Sequence, residues 1–252
     1  MNAESFLAAL NLPTTCRVDQ RIPKKLLLEN GAPTAADKRQ INEGIEDLLW
    51  LATLKPTTIG ISEYRDDIRE YLEIVVLRLT LRVGAKTARL VELVHRAVPY
   101  PMLLLTEQNT RIDLSVAHKR WAQNEAGKTV LDGEVLSALW DAGRDGAYWP
   151  AFRAALSLGR QPTATLHALY QGWIDTLLAL QIARITGNLR PADDQQQAAQ
   201  QHEALSEYNR LDSAIIQLRI AAAKERQIAR QVELNLEVKR LEAAQAAVRT
   251  KL

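Results

Sequence analysis

From His202 to Leu252 the chain contains neither glycine nor proline, and Ala, Glu, Lys, Arg, Gln and Leu dominate. These are strong helix formers, so the stretch predicts a long C-terminal helix. Leu211, Ile215, Leu218, Ala222, Ala229 and Val232 hold a heptad-like seam with a polar gap at Glu225. Leu234, Val238, Leu241 and Val248 hold a second seam, interrupted by Gln245. The seams are out of phase, which implies a stutter or break near Glu233. A narrow apolar stripe on a long helix needs a partner. That partner is another copy, another protein, or the chain's own amphipathic helix at 163–185. The polar run Asp193 to Gln201 reads as a hinge before the arm, or as its exposed first turns.

The first half reads differently. Thr34 is an N-cap with Asp37 three residues on, and Ile41, Ile45, Leu48, Leu49 and Ala52 predict a helix over 34–54 that Lys55-Pro56 stops. Thr57 to Ile61 reads as a short β-branched strand and Glu63 to Glu70 as a charged turn. Leu72 to Val83, apolar on both sides, reads as a central strand ended by Gly84. Thr87 to Val98 predicts a second helix. Met102 to Thr106 reads as a buried strand, Gln108-Asn109-Thr110 as a hairpin turn, and Arg111 to Ala117 as a strand with one wet face. No strand pattern is evident after Lys128. Asp132 to Ala142 reads as helical, and Leu166, Leu169, Trp173, Leu177, Leu180 and Ile185 line the helix at 163–185.

Composition narrows the classes of function. A chain of 252 residues with 47% hydrophobic and 25% charged residues is ordinary globular material. The single cysteine, Cys16, allows no intramolecular disulfide and no cysteine-based zinc site, consistent with a reducing cytoplasm. Met1 to Leu12 lacks the features of a signal peptide, and no apolar run is long enough to span a bilayer. A net charge of +2 is weak for a dedicated nucleic-acid binder.

Two local clusters remain. Lys24 and Lys25, in an early loop, and Lys38, at a helix start, suit an anion or nucleic acid; they equally suit a solvated loop paired with carboxylates. His118, Lys119 and Arg120, followed by Trp121, close the last strand of the head. The mixture can stack on a base and grip a phosphate, or simply pack at a surface. From Arg219 to Leu252 cations outnumber acids, as a phosphate-tracking helix or a coiled-coil flank would have it. His95, His167 and His202 have no second ligand at metal-site spacing, and no phosphate loop or nucleophile elbow is present. Glu63, Asp66, Asp67, Glu70 and Glu73 could serve a magnesium nuclease, with Glu73 and Lys119 as its test residues, but the spacing of such a motif is missing. No catalytic residue, metal or cofactor is assigned.

Several phrases together carry a family resemblance: Ile22-Pro23-Lys24-Lys25, Asp37-Lys38, Leu54 to Ile59, Tyr100 to Leu104, Leu114 to Arg120, and Val232 to Lys239. The chain resembles the bacterial domain of unknown function 4391 over nearly its whole length. The resemblance implies no catalytic residues. It implies a place beside helicases and DNA methyltransferases in restriction-like anti-phage defence clusters, which is association rather than mechanism.

The expected fold is α/β (α+β): a mixed sheet with packed helices in an α-β-β-α-β-β head at 1–128, a helical region at 129–190, and a coiled-coil-like helix at 191–252. The expected role is a non-catalytic adaptor in the cytoplasm, away from membranes, binding a helicase or methyltransferase subunit and DNA or RNA. Lys24, Lys25, Lys38, His118, Lys119 and Arg120 would make the contacts. Leu211, Ile215, Leu218, Leu234, Val238 and Leu241 would form the assembly helix. The alternatives are a metal-dependent nuclease with a degenerate motif and a structural homodimer joined through the C-terminal helix.

Overall fold

The computed structural model describes residues 2–123, 125, 127–192 and 194–252. Met1 of the leader reading and Asp193 of the hinge reading lie outside the described residues. The chain divides into two units, Met1–Leu177 and Leu178–Leu252.

The first unit is built on a mixed six-stranded sheet. Its strands are β1 (Arg17–Arg21), β2 (Ile45–Leu54), β5 (Ile74–Leu81), β6 (Met102–Gln108), β7 (Arg111–Trp121) and β8 (Thr129–Trp140), side by side in that order. A two-residue pair, β3 (Tyr64–Arg65) and β4 (Glu70–Tyr71), forms a separate hairpin. Only β5 and β6 run parallel; the other neighbours in the large sheet are antiparallel. A parallel pair needs a crossover, and helix α5 (Thr87–Ala97) supplies it. Helices α1 (Ala3–Leu10), α2 (Lys24–Asn30), α3 (Ala35–Gly44), α4 (Pro56–Ile59), α6 (Ala142–Asp145) and α7 (Trp149–Leu156), with α8 (Leu166–Thr186) as far as Leu177, complete the unit.

Alternation along the strands sorts the core into two layers. Val75, Leu77, Leu79, Leu81, Met102 and Leu104 pack with Leu27, Ile41, Leu90, Val91 and Val94 from α2, α3 and α5. Burying each of the large aliphatics of α5 contributes about 1.5–3 kcal/mol, which fixes this helix on the sheet. The opposite layer holds Ile74, Val76, Leu103, Leu105, Leu114 and Val116, all buried. There Trp140 stacks on Phe152 at 5.6 Å and meets Phe6 edge-on at 5.5 Å.

The central strand β5, the crossover helix α5, strand β6 and the hairpin turn after it follow the sequence reading. Thr34 is the N-cap of α3, its hydroxyl oxygen accepting the Asp37 N–H at 3.1 Å. Four elements depart from it. The helix stops at Gly44, and Ile45–Leu54 is strand β2; spacing of four puts residues on one face of a strand as well as a helix. The expected strand at 57–61 is a single helical turn, with Pro56 at its start and Gly60 at φ 71 ending it. Lys24 and Lys25 open helix α2 instead of lying in a loop. The segment expected to be helical at 132–142 belongs largely to edge strand β8. Strand β7 has no wet face through its middle: residues 112–117 are all buried, and His95 of α5 meets the Ser115 hydroxyl on one face.

The second unit holds the end of α8, then α9 (Gln195–Lys224) and α10 (Ile228–Arg249). The arm is therefore two helices with a break at 225–227. Glu225, the polar gap in the first seam, makes that break: its carboxylate accepts the N–H groups of Arg226 and Gln227 at 2.7 and 2.9 Å. Glu225 is the C-cap of α9 and Gln227 the N-cap of α10, so these bonds hold the connection between the helices. The two helices lie antiparallel, tied by Arg219 to Glu242 at 2.6 Å and Gln245 to Asp212 at 3.1 Å. Leu211, Ile215 and Val238 are buried, and Leu218, Leu234 and Leu241 are half-buried. Leu211, Ile215, Leu218 and Ala222 of the first seam lie on α9 and the second seam lies on α10, so these form the inner sides of one helical hairpin; Ala229 and Val232, which the heptad spacing assigned to the first seam, lie past the break on α10 and are exposed. Among the described residues no helix is long and apolar enough to cross a membrane.

Candidate functional site

Strand β7 carries the most concentrated chemistry. Its register against β8 shifts between Val116 and His118, an irregularity of the kind that re-aims side chains. Beyond it alternation separates the three predicted contact residues. His118 and Arg120 point to one face and Lys119 to the other.

On the His118 side, residues from four elements converge. Gln171 of α8 donates its amide to Asp175 at 2.8 Å, which turns the amide oxygen toward His118 Nε2, also at 2.8 Å. That nitrogen must therefore carry the proton. Nδ1 is left as the acceptor for a short hydrogen bond from the Tyr71 hydroxyl. His167 stacks on His118 with ring centroids 5.2 Å apart and planes 21° apart. Tyr64 and Tyr71 hold the same ring at 4.8 and 4.9 Å. Arg69 reaches Asp132 through Nε and Nη2 at 2.9 and 2.6 Å, and Arg120 stands 3.7 Å from the same carboxylate.

Burial sets the protonation states. It lowers the pKa of His118, opposed by the bond to Gln171. It lowers that of His167 to about 4, helped by His118 and Arg69. Both rings are neutral near pH 7. The nitrogens of His167 make no hydrogen bond among the described residues, and the ring is only half-buried. The arrangement thus presents a fixed, neutral imidazole within the field of Arg69, able to accept a proton or a hydrogen bond. Tyr64, Arg69, Tyr71, Asp132, His167 and Gln171 were not legible as a site, since they are far apart in sequence and follow no motif spacing.

Lys119 lies on the opposite face, 2% exposed. Its ammonium donates to the carbonyls of His95 and, at 2.9 Å, Val98. These belong to the last turn of α5, where a cation is favourable. Burial lowers its pKa to about 7. Lys24 is tied to the carbonyls of Asn42, at 3.2 Å, and Ile45. Lys25 is exposed and 3.7 Å from Glu29; Lys38 is exposed on α3. The structure brings His118 and Arg120 together and sends Lys119 inside. Glu73 pairs with Lys55 at 2.9 Å, and among the described residues no three His, Cys, Asp or Glu side chains are grouped to hold a metal.

No curated protein and no solved structure matches the chain. Residues 10–244 match the family described as Domain of unknown function (DUF4391). That span covers both units and every residue of the β7 site, and the chain belongs to this family.

Proposed function

We propose that the protein is a non-catalytic accessory subunit of a cytoplasmic anti-phage defence system of the restriction type. It joins a helicase or methyltransferase partner through its C-terminal helical hairpin. The observation that carries this reading is the outer surface of the hairpin. Its internal seam is satisfied, yet Ile216, Ile220, Ile228, Val232 and Leu236 stay exposed. Apolar residues repeated along helices toward water favour partner binding. The family resemblance supplies the class of partner, and the exposed cations Lys25 and Lys38, with the half-buried Arg120, are the groups that would meet nucleic acid.

Co-purification with the helicase and methyltransferase encoded beside it tests the reading. Capture is expected with the native chain and lost with Ile220→Glu plus Val232→Glu, while far-UV circular dichroism is unchanged. Capture that survives both changes sinks the docking role of the hairpin.

A catalytic reading has one observation in its favour, the free nitrogens of His167. Incubation with DNA and RNA in magnesium or manganese addresses it. Cleavage abolished by His167→Ala would replace the accessory reading; cleavage abolished by Glu73→Gln would restore the metal-dependent nuclease.

A further inference from the structure

A second feature of the first unit is independent of the hairpin and of the His118 cluster. A cavity of about 310 Å³ opens between the first turns of α5 and strands β6, β7 and β8. At about 30 Å³ for each atom, the share of a water molecule in the liquid, it holds about ten non-hydrogen atoms. Ala88, Val91, Val135 and Leu139 give it an apolar wall. Two of its polar side chains are engaged. The Gln108 amide oxygen accepts the Thr87 hydroxyl at 2.8 Å, and its nitrogen donates to the carbonyls of Arg82 and Ala85, both at 3.0 Å. Asp113 accepts the Ser137 hydroxyl, which draws its carboxylate toward β8 and away from β6. Three groups remain open among the described residues. Arg111 stands at the exposed lip and makes no ion pair. Thr106 is 2% exposed, and its hydroxyl has no hydrogen-bond partner; buried polar groups are seldom left so. Helix α5 begins at Thr87 without a side-chain cap, so its first N–H groups and the positive end of its dipole serve the same space. Strand register brings these groups together. Gln108 lies opposite Arg111 and Thr106 opposite Asp113. Thr106 and Arg111 are therefore diagonal neighbours on one face, about 7–8 Å apart and within reach of a long side chain.

We propose that this cavity binds a small aliphatic monocarboxylate. The Arg111 guanidinium, the Thr106 hydroxyl and the first N–H groups of α5 all donate, and the carboxylate accepts from them. The aliphatic body lies on Val91, Val135 and Leu139. A neutral hydrophobe would leave Arg111 and Thr106 without partners. A bare inorganic anion would leave the apolar wall uncovered, and a cation would meet Arg111.

Titration calorimetry on the full chain tests this with hexanoate and octanoate. Hexanamide, which lacks the charge, and acetate, which lacks the body, are the controls. At least one of the two acids is expected to bind at one site per chain. Hexanamide should bind roughly tenfold or more weakly, as loss of a charged hydrogen bond implies. Acetate, four methylenes shorter than hexanoate, should bind roughly a hundredfold or more weakly. Arg111→Ala should abolish the preference for hexanoate over hexanamide and leave far-UV circular dichroism unchanged. Thr106→Val should weaken binding without lowering the melting temperature of the free chain. Ile220→Glu plus Val232→Glu should leave binding intact; its loss there would put the ligand on the exposed side chains of the hairpin and overturn the proposal. Absence of binding by both acids at millimolar concentration overturns it too, as does equal binding of hexanoate and hexanamide.

Discussion

At the scale of single residues, His118, Lys119 and Arg120 show how much one position of strand alternation decides. Composition made them a single basic cluster; the pleat sends the middle one under α5, where its ammonium serves the last carbonyls of the helix. Lys119 should therefore resist amine-acylating reagents in the native chain while Lys25 and Lys38 react. Peptide mapping after limited acylation measures this, and equal labelling of the three would refute the buried placement. His95, on the same helix, has its pKa lowered to about 3, by burial first and the Lys119 charge second. Its unfolded value is near 6.5. Between these values the unfolded chain binds the proton and the folded chain does not, so stability is full above about pH 6.5 and falls as pH drops toward 3. At pH 5.5 the loss from this one group is about 1.4 kcal/mol. Urea unfolding of the native chain at pH 7.5 and 5.5 should show at least that drop, and His95→Leu should remove about that much of the pH dependence. A native chain equally stable at both pH values contradicts a neutral buried imidazole.

At the scale of elements, the hairpin makes the sharpest claim. Ile215 is 3% exposed and its neighbour Ile216 is 49% exposed. Ile215→Ala should cost about 2–5 kcal/mol, and Ile216→Ala should stay within about 0.5 kcal/mol. Thermal unfolding of the two variants reads the difference, and similar losses would mean that the helices pair in another phase. The seam residues within each helix were legible because heptad spacing is written in consecutive residues, but the same spacing carried the first seam past the break to Ala229 and Val232, which are exposed on α10. The pairing of the two seams with each other was not legible, since it depends on the break at Glu225, and a seam gap in sequence looks the same as a turn. Strands β5 and β6 were legible from continuous apolar runs. Strand β8 was not: Leu131, Val135 and Leu139 recur every four residues, and the run spans both Gly133 at φ 89 and the register shift opposite His118. The β7 site was half legible. His118 and Arg120 lie in one local phrase, whereas Tyr71, His167 and Gln171 arrive through tertiary packing that no spacing encodes.

At the scale of the whole molecule, the sequence argued that the arm needs a partner, and the structure divides that need in two. The buried seam of Leu211, Ile215 and Val238 is met within the arm itself, which removes the seam as a reason for self-association. The exposed set that includes Ile220, Val232 and Leu236 is unmet. A near-neutral chain, at +2, has little charge repulsion to keep such surfaces apart, so self-association must be tested directly. If the stripe belongs to a different protein, the purified chain should scatter light as a single copy over a wide concentration range and gain mass only when the partner is added. Should it instead scatter as a dimer that Val232→Glu splits, the stripe is a self-interface, the accessory reading loses its carrying observation, and the structural homodimer takes its place. Isologous contacts of this kind bury the same residues on both copies. A Val232→Cys chain would then form an intermolecular disulfide under mild oxidation, whereas a monomeric chain, whose native Cys16 is buried, would not.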